Sequence, residues 1–146
     1  MINKQNIMDN KGSYGNFSKE EMEHYTEEAR LRWGDTEAFK QSQERVQKMG
    51  KEGLRKVLAE SGTLTREIAQ SMNEGEDPTG ERVQALILKH YEGLRAFYEP
   101  NLDIYLGLAD IYVSDERFRA NYENVAEGLA QFMHDAMMHF VKMREV

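Results

Sequence analysis

Four histidines, His24, His90, His134 and His139, are the side chains here best suited to proton or metal chemistry near neutral pH. Glu21-Met22-Glu23-His24 makes one Glu-x-x-His. A di-iron helical bundle needs two such motifs and two further carboxylates, and no second motif exists. His134 and His139 are five apart, about 140° round a helix, so a regular helix points them at different places. His90 lies on an apolar helical face. A lone histidine there reads as a core-edge side chain rather than a haem ligand. With no cysteine in the chain, thiolate nucleophiles, zinc–thiolate sites and disulfides are excluded. No Gly-x-Ser-x-Gly elbow occurs, and Gly50 and Gly53 lack the lysine and hydroxyl context of a phosphate loop. The carboxylates lie on helix faces and in residues 74–81, which reads as solvated acidic surface. Catalysis therefore has no carrier, no cofactor is called for, and the expectation is a protein that is not an enzyme.

The aromatic and thioether side chains offer binding chemistry instead. Tyr91, Phe97, Tyr98, Tyr105, Tyr112, Phe118 and Tyr122 crowd one stretch, and Met133, Met137, Met138 and Met143 lie near the C-terminus. Such side chains build large, adaptable apolar surfaces. Five of those seven aromatics are tyrosines, whose hydroxyls need water or a partner. They suit either a cleft lined by Tyr and Met or a packed core with tyrosines at its rim.

The elements that must position these residues are helices. Prolines occur only at Pro78 and Pro100, and helix formers are common. Residues 1–17 read as a flexible lead-in. Ser18 and Glu21 form a capping box that predicts a helix over 19–32, stopped by Gly34. Asp35 is the expected cap of the next helix, which ends near Gly50 or continues with a kink. Leu54, Val57, Leu58, Leu64, Ile68, Ala69 and Met72 keep helical spacing. Asp77-Pro78 predicts a cap with proline at the first helical position. The helix that follows puts Val83, Leu86, Ile87, His90, Leu94, Phe97 and Tyr98 on one face and ends before Pro100. A short helix is expected over 101–112, a turn capped by Ser114, and a last helix over 122–142 with Val125, Leu129, Phe132, Met133, Ala136, Met137 and Phe140 inward. The total is five to seven helices in an all-α fold. A chain of 146 residues fits one domain, here 18–146 after the lead-in. Net charge is −7, which repels a phosphate backbone, so direct nucleic-acid binding by this chain alone is not expected. No apolar run approaches a membrane span, the start has no signal-peptide core, and the cytoplasm is the expected location.

Trp33-Gly34-Asp35-Thr36-Glu37-Ala38-Phe39 is similar to the Trp-Gly-Asp-Thr-x-Ala-Tyr/Phe signature of TipAS-type antibiotic-recognition domains. Phe97-Tyr98-Glu99-Pro100, the block from Gly107 to Phe118, and Gly128-Leu129-Ala130-Gln131-Phe132 resemble that family's later motifs in the same order. The resemblance runs from about residue 20 to 140. It implies an all-α, globin-like arrangement without haem. It also implies a cleft for thiopeptides or other bulky hydrophobic antibiotics. Such domains serve as ligand-sensing parts of MerR-type activators or as free-standing drug-sequestering proteins. A helix-turn-helix that binds DNA would then lie upstream. Thiopeptide-binding members carry a cysteine after the proline of the aromatic segment. Asn101 stands at that position, so a thioether to a dehydroalanine group is not expected.

The resulting expectation is a receptor for a bulky apolar antibiotic, with ligand contacts at Trp33, Phe39, His90, Tyr98, Asn101, Tyr105, Met133 and Met137. Residues 18–50 would order on binding, with Trp33 and Phe39 covering the ligand. The rival reading is a protein-interaction domain with no small-molecule ligand, docking through the exposed face of the 54–72 helix.

Overall fold

The computed structural model describes residues 36–145. The lead-in over 1–17, the helix expected over 19–32, Trp33 and the Asp35 cap lie outside the described residues. Five α-helices are described: α1 (Glu37–Asn73), α2 (Glu81–Gly93), α3 (Leu102–Ser114), α4 (Glu116–Val125) and α5 (Leu129–Arg144), with one 3-10 turn at Leu94–Ala96. No strand occurs among the described residues, and the all-α reading holds. The chain divides into two compact units. One holds residues 36–62 with Leu94–Glu99, the other Thr63–Gly93 with residues 100–145.

In the first unit, Thr36 starts α1 by accepting the Phe39 amide on Oγ1 at 3.2 Å. Gly50 leaves helical geometry (φ 71°, ψ −179°), yet the chain resumes its helix at once. That conformation favours glycine, so a kink occurs where the sequence offered either a stop or a kink.

In the second unit, α3 against α5 is the principal packing, with α4 on both and α2 on α5. Ile68, Val83, Ile87, Tyr105, Leu129, Met133, Ala136 and Met137 are fully enclosed. Four boundaries differ from the sequence reading. The helix carrying His90 ends at Gly93, followed only by the 3-10 turn at Leu94–Ala96, so Phe97 and Tyr98 are not on its face. Pro78 does not open α2: Asp77 Oδ1 instead takes the Thr79 amide (2.8 Å) and hydroxyl (2.6 Å), closing a turn that delays the helix to Glu81. Ser114 is not a cap either. Its hydroxyl donates back to the Asp110 carbonyl (2.7 Å), and Asp115 caps α4 through the Arg117 amide (3.0 Å). Finally, the helix expected over 122–142 is two helices, broken at Ala126–Gly128, where Gly128 takes φ 88°.

Glu123 manages that break. Its Oε1 accepts the Gly128 amide (2.9 Å) and its Oε2 the Ala130 amide (3.0 Å), satisfying donors that the start of α5 leaves open. Those two amides, Ala130 first, hold the carboxyl below the usual glutamate range. Glu123→Ala is therefore expected to cost ~1–2 kcal/mol in urea unfolding at pH 7. The contribution is present in full above the ordinary glutamate pKa and disappears as pH falls through the lowered one.

Candidate ligand-recognition site

α2 and α3 bring a polar chain into the core of the second unit. His90, near the end of α2, places Nδ1 2.7 Å from the Tyr105 hydroxyl and Nε2 3.3 Å from the Tyr112 hydroxyl. Tyr105 and Tyr112 are seven apart, so one face of α3 carries both. Tyr105 Oη also lies 3.5 Å from the Ile87 carbonyl, and Tyr112 is hydrogen-bonded to Tyr122 of α4. Two directions satisfy this chain. In one, Nδ1–H donates to Tyr105, Tyr105 donates to Ile87, and Nε2 accepts from Tyr112. In the other, Tyr105 donates to Nδ1, and Nε2–H donates to Tyr112, which donates on to Tyr122. Burial depresses the His90 pKa to about 4 and pushes the Tyr122 hydroxyl up to about 12, the latter partly opposed by Tyr112. The imidazole is neutral at pH 7.

Aromatic packing surrounds the chain. Tyr91 meets Tyr105 (5.0 Å between centroids) and Phe140 (5.2 Å), Tyr105 meets Phe140 (5.4 Å), and Tyr112 meets Tyr122 (4.7 Å). Sequence reasoning had His90 and Tyr105 but left out Tyr112, Tyr122, Tyr91 and Phe140 as partners. The seven-residue spacing of Tyr105 and Tyr112 was the available signal.

The expected ligand contacts fall into three settings. Tyr105, Met133 and Met137 are 0% exposed, so in this conformation they pack the core and present no surface. Asn101 is exposed, and its Oδ1 accepts the Ile104 amide at 2.8 Å, capping α3. Phe39 and Tyr98, both half-buried, belong to the first unit. There the 3-10 turn ends with the Phe97 and Tyr98 amides on the Leu94 carbonyl (2.8 and 3.0 Å).

No three His, Asp or Glu side chains among the described residues are grouped so as to hold a metal ion. No described helix is long and apolar enough to cross a membrane.

Five described helices around a tyrosine–histidine core define a small all-helical domain. The chain belongs to the TipAS antibiotic-recognition domain family, whose model matches residues 25–140. It is 34% identical over 126 residues to the HTH-type transcriptional activator TipA of Streptomyces coelicolor, covering 86% of this chain and 49% of that one. With the HTH-type transcriptional activator mta of Bacillus subtilis the identity is 28% over 128 residues, covering 87% and 49%. The chain thus spans about half the length of the curated relatives it matches. Among solved structures it is similar to TipAS of Streptomyces lividans in complex with nosiheptide, described as part of a thiopeptide antibiotic multidrug resistance system. That match has a TM-score of 0.82 and 31% identity, and covers 93% of this chain and 94% of the other.

Proposed function

We propose that this protein is a non-enzymatic receptor for a bulky, largely apolar antibiotic. It would act as the effector-sensing part of a MerR-type activator or as a free-standing drug-sequestering protein. The observation that carries this reading is the match along nearly its whole length to a TipAS structure holding nosiheptide. Phe39 and Tyr98 are half-buried and so keep surface that a ligand would meet, with Trp33 as the third expected contact. Recognition would be apolar and reversible, because the chain holds no thiol to add to a dehydroalanine group. In the activator setting, DNA binding would belong to a helix-turn-helix segment, as in the HTH-type activators TipA and mta.

The test is thermal unfolding with thiopeptides, nosiheptide first. A ligand at 100 times its dissociation constant stabilises the fold by ~2.7 kcal/mol, which raises Tm by about 5–11 °C for a chain this size. Intact mass after denaturation should return the unmodified chain. No Tm shift across a panel of thiopeptides and lipophilic cations at saturating dose overturns the receptor reading and favours the protein-interaction domain.

A further inference from the structure

The segment carrying Phe97 and Tyr98 leaves helical geometry and has to be held by something else. Pro100 keeps Glu99 out of the helical region. In a continuing helix the Glu99 amide would bond to the Arg95 carbonyl four residues back. Here each of those two groups is taken by α1. The Glu99 amide donates to Gln41 Oε1 at 2.9 Å, and Arg45 Nη1 donates to the Arg95 carbonyl at 2.6 Å. Gln41 and Arg45 are one helical turn apart, so both project from the same face of α1. Arg45 also reaches the Glu99 carboxylate at 3.8 Å, and Glu99 in turn pairs with Arg95.

We infer that Gln41 and Arg45 are positioning residues for ligand recognition, holding Tyr98 and Phe97 in their binding course by replacing the backbone bond that the broken helix gives up. This rests on the receptor reading. The ion pair contributes little, since its side chains are 33% and 55% exposed and screened. The two bonds to backbone fix the geometry, because they pin both ends of a stretch whose inner residues carry the aromatic rings. Toward the segment Gln41 serves as an acceptor, a role a carboxylate also fills. Arg45 serves as a fork that reaches a carbonyl and a carboxylate at once, which a lysine ammonium does not span as well.

The test measures nosiheptide affinity and backbone amide exchange for Gln41→Met, Gln41→Glu and Arg45→Met in the full chain. Losing either pin frees the segment, so Gln41→Met and Arg45→Met should each weaken binding about tenfold, through lost pre-organisation. Glu99 amide exchange should quicken in Gln41→Met, while Gln41→Glu stays near wild type in both readouts. Unchanged affinity in both methionine variants, with the wild type binding, overturns the positioning role and leaves the receptor reading intact. If the wild type itself does not bind nosiheptide, the receptor reading fails for that probe, and exchange decides alone. An unaltered Glu99 amide in Gln41→Met then overturns the inference.

Discussion

Phe140→Ala is expected to lower stability by ~3–5 kcal/mol, a third or more of what a domain this size commonly has. The ring is 1% exposed. It lies between Tyr91 and Tyr105, at 5.2 and 5.4 Å, and the Arg144 guanidinium sits 3.6 Å above its centroid. Truncation opens a cavity that the surrounding rings fill poorly. It also removes two aromatic pairs worth ~0.5–1.5 kcal/mol each and one cation–π contact worth ~0.5–1 kcal/mol. Urea unfolding at pH 7 provides the measurement, with Phe140→Leu as a milder companion. A loss below ~1 kcal/mol, accompanied by weaker ligand binding, would mean that the ring faces a ligand rather than the core.

The same residue shows what the sequence made legible. Leu129, Phe132, Met133, Ala136, Met137 and Phe140 keep helical spacing and are all buried, so the inward face of α5 was readable from pattern alone. The start of that helix was not. Val125 continues the apolar rhythm across Ala126–Gly128, and the extended backbone of Ala126, the positive φ of Gly128 and the carboxylate of Glu123 separate α4 from α5. Periodicity reports a face and is silent about a break that preserves it. Turn chemistry misled in a related way at Asp77: the same aspartate suits a helix cap or a closed turn, and the Thr79 hydroxyl decided for the turn. On the binding side, the concentration of tyrosine was visible, but its use was not. Whether Tyr105 lines a cleft or completes a buried chain depends on which helix brings His90 to it, a pairing 15 residues apart in sequence. Gln41 and Arg45 were out of reach for the same reason. Their partners lie 58 and 50 residues away and are backbone groups, which leave no mark in a side-chain pattern.

Acidification should weaken the fold through His90, in a window set by its own proton affinity. The unfolded histidine titrates near 6.5, and burial lowers the folded value to about 4. The folded form therefore holds fewer protons than the unfolded form between those values, and stability falls as pH falls through that range. It is fully present above pH ~6.5 and levels off below ~4, after a loss of about 3 kcal/mol from this group. Hydrogen bonding does not oppose the charged form. Both ring nitrogens then donate, the Tyr105 hydroxyl donates a hydrogen bond to the Ile87 carbonyl and the Tyr112 hydroxyl donates one to Tyr122, so desolvation is the cause of the loss. The groups facing the ring are these neutral hydroxyls from α3. Urea unfolding of wild type and His90→Gln at pH 7 and pH 4.5 isolates the contribution. Wild type should lose ~2–3 kcal/mol more than the variant over that interval. Titration of the His90 ring by NMR in the native protein gives a second reading that does not depend on the variant folding. A native titration midpoint near 6.5, or equal acid sensitivity in the two proteins, would show that the ring is solvated and that the Tyr105–His90–Tyr112 chain is not closed.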